Sequence, residues 1–150
     1  MPKFLSLHLQ DQQMVMLPLE QLTEVFNVSL TQIVPIPDVP STVMGVCNWR
    51  GEVIWLVDLG SLLGFAPLHQ QGFRQTNYKV VLLQKQGEVL GLAVPKVGQI
   101  REYGENQVQN AQFSHLHQRL QNCLLGFVVD DDRHTVLAID GDKLLEQIGT

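Results

Sequence analysis

One structural plan occurs twice in this sequence of 150 residues. The segment LHLQDQQMVMLPL (7–19) matches VLLQKQGEVLGLA (81–93) without a gap, so that Leu7 aligns with Val81 and Leu19 with Ala93. Each segment has short apolar runs on either side of a polar turn, which predicts a β-hairpin. A chain that repeats such a unit is expected to form two similar parts that pack on each other.

The later part of each repeat predicts a second hairpin followed by a short helix. Gly45 precedes Asp58 at nearly the same spacing at which Gly126 precedes Asp140. A Leu-Leu pair follows each aspartate at the fourth and fifth positions, and an aspartate so placed is typical of a helix N-cap. Many short strands separated by frequent turns indicate small β-barrels with short helices.

These patterns predict a single domain built from two barrel subdomains. One covers roughly 15–80, and the other covers the remainder, with terminal strands exchanged between them. Within the first, the segment 20–25 predicts a short helical turn, because Leu22 and Val25 have the spacing of one helix face. Residues 101–122 are rich in Gln and Asn, which indicates loose strands and a long loop.

Composition narrows the classes of partner. Hydrophobic residues make up 45% and charged residues 17% of the chain, as is usual for a globular protein. The net charge is −5 without a Lys/Arg cluster, which argues against nucleic acid and against direct membrane contact. Two cysteines without a CxxC motif, no signal peptide and no apolar run of about 18 residues indicate a cytoplasmic protein.

Catalytic motifs are weak. Asp58 and Asp140 hold equivalent places in the two repeats, so helix capping explains them better than acid–base catalysis. The sequence contains no GxSxG, P-loop or GxGxxG motif. We therefore expect no enzymatic activity and no cofactor.

Metal-binding motifs are weak as well. The run 130–132 has three aspartates but lacks the spaced acidic loop of a calcium site, so a solvated turn is expected there. His115 and His117, with His134 or Cys123, lack the paired spacing that marks a zinc site. The sequence therefore predicts no metal site.

The turn NWRGE (48–52) carries unusual residues for a hairpin tip. Small polar residues are usual there, whereas this turn has Trp49 and Arg50. One interpretation is a protein-contact hot spot, for which Trp and Arg are the enriched types. The other is structural: Trp49 covers the open end of a barrel and Arg50 pairs with a nearby acid such as Glu52.

The stretch PDVPSTVMGVCNWRGEVIWLVDLGSLLG (37–64) resembles the signature of CheW-like domains, the coupling proteins of bacterial chemotaxis arrays. That family has a Pro-rich approach, a Gly-Val, an Asn-Leu-Arg-Gly and an apolar run that ends in Asp-Leu. The matching residues are Gly45, Val46, Asn48, Arg50, Gly51, Asp58 and Leu59. LPLEQLTEV and LAIDGDKLL resemble the family's first-barrel segment and its final strand and helix. The resemblance implies two five-stranded Src-homology-3-like barrels on a shared core.

Three features depart from the family pattern. Trp49 replaces the usual leucine, Trp55 replaces the usual proline, and LAVPKV (92–97) stands where the family usually has a Val-Asp. The tryptophans resemble variants from cyanobacterial phototaxis and pilus-motility systems. The departures leave open which receptor and kinase this copy serves.

The resemblance implies a non-enzymatic adaptor. Such an adaptor bridges the cytoplasmic hairpin tip of a methyl-accepting chemoreceptor and the regulatory domain of a CheA-type histidine kinase, in receptor arrays at the membrane. By resemblance, Leu22 and Glu24 lie on an exposed kinase-facing ridge, and Arg50 lies on a different, receptor-facing side. The structural residues of the turn are then Asn48, Trp49 and Gly51. The alternatives are an adaptor that competes for one partner, a small-molecule sensor with a pocket in the inter-barrel seam, and a hydrolase that uses Asp58.

Overall fold

The computed structural model describes residues 1–68, 76–110 and 112–148. Its strands are short, and the α-helices among these residues span at most six residues each. The elements are β1 (Lys3–His8), β2 (Met14–Pro18), β3 (Leu22–Ser29), β4 (Val43–Trp49), β5 (Glu52–Asp58), α1 (Leu59–Leu62), β6 (Asn77–Lys85), β7 (Glu88–Val94), β8 (Lys96–Glu102), α2 (Gln118–Cys123), β9 (Leu124–Val129), β10 (Thr135–Ile139) and α3 (Gly141–Glu146). Among the described residues, no helix is both long enough and apolar enough to cross a membrane.

The strands form two five-stranded sheets. Sheet I has the order β3-β6-β7-β5-β4, and sheet II has the order β8-β1-β2-β10-β9. In each sheet one pair is parallel, β5 with β7 and β10 with β2, and the other pairs are antiparallel. The mainly β architecture of two five-stranded units with short helices, predicted from the sequence, is confirmed.

The two halves of the chain exchange their first hairpins. Strands β1 and β2 pair with β8 and β10 of the second half, whereas β6 and β7 pair with β3 and β5 of the first half. The strands of sheet I consequently lie between residues 22 and 94. The subdomain bounds of roughly 15–80 stay a prediction.

Three apolar clusters stabilise this arrangement. The shared core joins one face of sheet I to one face of sheet II and to the helices; its largest fully buried members are Leu7, Leu17, Leu59, Leu62, Leu63, Leu83, Leu92, Leu120 and Ile139. The core of sheet I fills the opposite face of that sheet with Val28, Cys47, Ile54, Leu56, Leu68, Tyr78, Val80, Leu82 and Ala93. The core of sheet II is smaller and contains Phe4, Met16, Val128, Val136 and Ala138.

Two segments that the sequence assigned otherwise form regular structure. Only the start of the segment 20–25 is helical, in a 3-10 turn at Leu19–Gln21; from Leu22 onward the segment belongs to β3, which pairs with β6. The apolar spacing within 22–28 fits a strand equally well, and this long-range pairing decides between them. Within 101–122, α2 begins where a loop was expected, because the Nδ1 atom of His117 caps it by accepting the backbone N–H of Arg119 at 3.1 Å.

Candidate interaction site at the β4–β5 hairpin

A two-residue turn joins β4 to β5. Trp49 pairs with Glu52 across the hairpin, so Arg50 and Gly51 alone form the tip. Their φ angles are 50° and 83°, and the Oδ1 atom of Asn48 accepts the backbone N–H of Gly51 at 3.2 Å. Turns with two positive φ angles match the twist of antiparallel strands. The turn is therefore tighter than the segment 48–52 that was expected, and the side chain of Arg50 is 71% exposed.

Trp49 and Arg50 both contact Glu24. The indole ring of Trp49 packs against the core of sheet I, and its Nε1–H donates to Oε2 of Glu24 at 2.5 Å. The guanidinium of Arg50 donates to the other carboxylate oxygen of Glu24 and lies 5.5 Å from the centre of the Trp49 ring. We call these three residues the Glu24 cluster.

The Glu24 cluster joins the two edges of sheet I. Glu24 belongs to β3 and Trp49 to β4, and these strands lie at opposite ends of the strand order. A contact between the edges requires the sheet to curl until they meet. The cluster thus holds the two edges of the curled sheet together.

The cluster holds Glu24 in its ionised form. The hydrogen bond from Trp49 is the largest cause that lowers the pKa of Glu24, and the charge and hydrogen bond of Arg50 lower it further, whereas desolvation acts in the opposite direction. Its side chain is 28% exposed, compared with 71% for Arg50. The cluster therefore presents a fixed carboxylate beside an outward-pointing cation.

Two expectations about this site are wrong, and a third is met by a different residue. Glu24 and Arg50 do not lie on separate faces, because they form an ion pair. Arg50 does pair with an acid, as the structural interpretation of the turn expected, but this acid is Glu24 rather than Glu52. Leu22 is half-buried and packs against the shared core, so it is not an exposed anchor on a ridge.

Asp58 has a structural environment. It is buried, and its Oδ1 atom accepts the N–H of Ser61, at the start of α1, at 3.2 Å and the side-chain Nε2–H of Gln10 at 3.0 Å. Its Oδ2 atom accepts the N–H of Leu68 at 2.8 Å. Each carboxylate oxygen is therefore bonded to the protein, and the predicted N-cap is confirmed.

Asp140 caps α3 in the same way. Its Oδ1 atom accepts the N–H of Asp142 at 3.0 Å and the side-chain Nε2–H of Gln21 at 2.9 Å. Gln21 and the Asp58 partner Gln10 both come from the first half of the chain, next to the exchanged hairpin. The two capped helices are thus tied to this hairpin.

Among the described residues, the four that were considered as a weak zinc motif do not come together as one ligand group. The imidazole of His117 caps α2, and Cys123 is buried, which raises the pKa of its thiol to about 12. His115 lies beside the ring of Phe113. In the described part of the chain, the carboxylates that lie close to the imidazole of His134 are those of Asp130 and Asp132.

An exposed apolar pair was missed from the sequence. Val53 is 72% and Trp55 is 45% exposed on β5, opposite Asn48 and Val46 of β4. The run VIWLV (53–57) is apolar throughout, so alternation cannot reveal which side chains face outward. The replacement of the family's proline by Trp55 was the available signal.

Comparison with known proteins agrees with this fold. The family model for the CheW-like domain matches residues 3–149. A solved structure, the scaffolding protein TtCheW from Thermoanaerobacter tengcongensis, superposes with a TM-score of 0.75 at 21% identity and covers 93% of this chain and 89% of its own. No curated protein sequence matches the chain. The chain therefore belongs to the CheW-like family, whose members are scaffold and adaptor proteins of chemotaxis signalling rather than enzymes.

Proposed function

We propose that this chain is an adaptor that links a methyl-accepting chemoreceptor to the regulatory domain of a CheA-type histidine kinase. Its family supports the adaptor role. The observation that carries the finer proposal is the Glu24 cluster, which combines a fixed carboxylate with an exposed guanidinium beside an aromatic ring. Arg and Trp are residue types that dominate protein–protein hot spots.

Arg50 is suited to the receptor. A guanidinium has five N–H donors in a planar fork, and the contact with Glu24 leaves donors of this exposed group free for other acceptors. Carbonyl and carboxylate oxygens at the turn of a receptor's helical hairpin are acceptors of this kind. We assign Arg50 to that contact, with Asn48, Trp49 and Gly51 holding the turn.

Glu24 is suited to the kinase. It lies on edge strand β3, where a partner can approach, and its charge fixes the register of the approaching surface. Leu22 packs against the shared core at the start of β3 and thereby supports the strand that carries Glu24. The receptor surface and the kinase surface then share the ion pair of Arg50 and Glu24. A hydrogen-bond acceptor on the receptor that binds Arg50 therefore changes the charge environment of Glu24, which the kinase contacts.

Binding measurements with two single substitutions test this assignment. Arg50→Gln is expected to weaken binding of a receptor cytoplasmic fragment at least about tenfold, and Glu24→Gln to weaken kinase regulatory-domain binding similarly. Glu52→Gln is the matched control, because Glu52 is an exposed carboxylate beside the same turn but outside the cluster. Unchanged affinity of both variants, or an equal effect of Glu52→Gln, contradicts the assignment.

The alternative functions give different results in the same assay. A competing adaptor binds the receptor or the kinase but not both at once. A sensor with a pocket in the inter-barrel seam is not favoured, because the shared core packs buried side chains between the sheets.

We place the adaptor in the cytoplasm at membrane-associated receptor arrays. Its output, whether chemotaxis, phototaxis or pilus motility, is read from the motility of a deletion strain that carries wild-type or Arg50→Gln protein.

A further inference from the structure

The concave face of sheet II contains an open cavity of about 440 Å³. Comparison of the two repeats shows why it exists. In the alignment of 7–19 with 81–93, extended by one position, Ser6 and His8 of β1 correspond to Val80 and Leu82 of β6. Val80 and Leu82 are fully buried in the core of sheet I, whereas Ser6 and His8 line the cavity. The second barrel therefore has a polar opening where the first barrel is packed.

Three side chains with metal-ligand atoms gather at this cavity. Asp130, Asp132 and His134, from the connection between β9 and β10, each place one ligand atom within 4.8 Å of the others. The Oδ1 atom of Asp130 accepts the backbone N–H groups of Asp132 and His134 at 3.0 and 2.8 Å. Its Oδ2 atom faces the imidazole Nδ1 of His134 at 3.6 Å. The Oδ1 atom of Asp130 thus stabilises the turn, while its Oδ2 atom faces the imidazole of His134.

His8 approaches the cavity from the other half of the chain. It is half-buried at the end of β1, and its neighbours across the sheet are Met14 of β2 and Lys96 of β8. In sheet I the corresponding residue is Leu82, so packing of this fold does not require an imidazole at this position.

We propose that Asp130, Asp132 and His134 form a binding site for one divalent transition-metal ion of the zinc class, with His8 on the wall of the same cavity as the fourth ligand that a bound ion would recruit. A mixed set of imidazole nitrogens and carboxylate oxygens suits zinc, nickel or cobalt, whereas calcium and magnesium prefer oxygen ligands alone. Lys96 and Arg101 also line the cavity, and their charges balance those of Asp130 and Asp132, so binding depends on direct coordination rather than on net attraction. This inference replaces the sequence expectation of no metal site, since His8 and Asp130 lie near opposite ends of the chain and no local motif contains both.

Bound metal would connect the two halves of the chain. His8 ends β1, part of the exchanged hairpin, whereas the other donors lie between β9 and β10 of the second half. An ion that binds only the folded protein raises its stability by mass action. The site would therefore fix the exchanged hairpin on sheet II, independently of the Glu24 cluster in sheet I.

Calorimetric titration of the full chain, prepared without a polyhistidine tag, with ZnCl2 tests the proposal. Wild type is expected to bind about one ion, and Asp132→Asn and His134→Gln are each expected to weaken binding about tenfold or more. Asp131→Asn is the matched control, because it removes the same charge from the same turn but Asp131 is not in the ligand group. His8→Leu introduces the residue type that sheet I has at the corresponding position, Leu82, so this variant is expected to fold and to bind zinc more weakly.

Each outcome decides for or against the site. Absence of saturable zinc binding by wild type overturns the proposal, and so does an equal loss in Asp131→Asn and Asp132→Asn, which would indicate diffuse attraction. Equal affinity for calcium and zinc contradicts the metal class. Zinc affinity that His8→Leu leaves unchanged excludes His8 as a ligand and overturns the proposed connection between the two halves of the chain. Circular dichroism of each variant verifies folding, and the d–d absorption of a Co²⁺ titration reports coordination directly.

Discussion

The indole Nε1–H of Trp49 donates a hydrogen bond to the Oε2 atom of Glu24 at 2.5 Å, between the two edge strands of sheet I. A residue that the sequence placed in a local turn therefore connects two strands that lie at opposite ends of the strand order of the sheet. The same bond aligns Glu24 for its ion pair with Arg50. The turn at 50–51 consequently takes part both in closing the first barrel and in presenting the proposed contact surface.

We expect Trp49→Phe to raise the pKa of Glu24 toward its usual range. Phenylalanine keeps the apolar packing but lacks the N–H donor, which is the largest cause of the lowered pKa. Arg50→Gln removes both the charge and the hydrogen bond of Arg50, which also lower this pKa, so it is expected to raise the pKa as well. Carbon-detected NMR titration of the Glu24 carboxyl group measures both changes. An unchanged pKa in Trp49→Phe would contradict the role of the indole N–H.

The lowered pKa of Glu24 also determines how stability depends on pH. A carboxyl group whose pKa is lower in the folded state stabilises the protein above its unfolded pKa, and this contribution is lost as the pH falls through the folded pKa. Wild type should therefore lose more stability than Trp49→Phe between neutral pH and a pH below the usual glutamate range. Urea unfolding at both pH values gives the comparison, and parallel losses would count against a role for this group.

Substitutions at Arg50 should separate charge from turn geometry. Arg50 is 71% exposed, so Arg50→Gln is expected to change the melting temperature little. Arg50→Glu places a second carboxylate beside Glu24 and is expected to lower the melting temperature more. Adding Glu24→Gln to Arg50→Glu should recover most of that loss, because the repulsion is then removed. Thermal unfolding of the three proteins checks this, and a double variant no more stable than Arg50→Glu would contradict it.

The fold was more accessible to sequence reasoning than the site. The gapless match between 7–19 and 81–93 predicted two similar barrels because local hairpins carry their own turn signals. The alternation of Leu5, Leu7 and Leu9 likewise matches their burial in the shared core. The exchange of hairpins was not specified in detail, since partner choice among strands depends on contacts remote in sequence.

The site depended on such remote contacts throughout. Glu24 contacts Arg50, which lies 26 residues further along the chain. No local sequence pattern shows that Glu24 rather than Glu52 is the ion-pair partner of Arg50. Leu22 has a spacing to Val25 that suits one face of a helix, but pairing of β3 with β6 places it in a strand. The expectation of separate faces for Glu24 and Arg50 failed because it treated each segment alone.

Asp58 and Asp140 should respond differently to the same substitution. Asp58 accepts hydrogen bonds through both oxygens, so Asp58→Asn turns an amide donor toward a buried N–H group such as that of Leu68. Leaving buried groups unpaired costs about 1–3 kcal/mol. Asp140 accepts the N–H groups of Gln21 and Asp142 through Oδ1 alone, which asparagine retains, so Asp140→Asn is expected to cost less than about 1 kcal/mol. Urea denaturation compares the free energies of unfolding, and equal losses would argue against the difference in bonding.

Gly45 and Gly126 mark the same close approach in the two repeats. Next to Gly45, Val46 bridges to Val34, and next to Gly126, Phe127 bridges to Gln109. A Cβ atom on Gly45 would lie 2.2 Å from the carbonyl oxygen of Val34, and one on Gly126 would lie 2.5 Å from that of Gln109. Both glycines also have positive φ angles, 141° and 155°, which other residues rarely adopt.

Alanine at either position should therefore destabilise the protein strongly. Backbone on both sides must move, and we expect a loss of about 3 kcal/mol or more in the free energy of unfolding. Gly87→Ala is the matched control: its φ is 84°, but nothing lies within 4 Å of the added Cβ atom, so only the conformational cost of about 1–2 kcal/mol remains. Urea unfolding of the three variants measures these losses. If Gly45→Ala and Gly126→Ala cost no more than Gly87→Ala, the steric contacts do not constrain the barrels, and a large loss at only one of the two positions would show that they are not equivalent elements of the repeat.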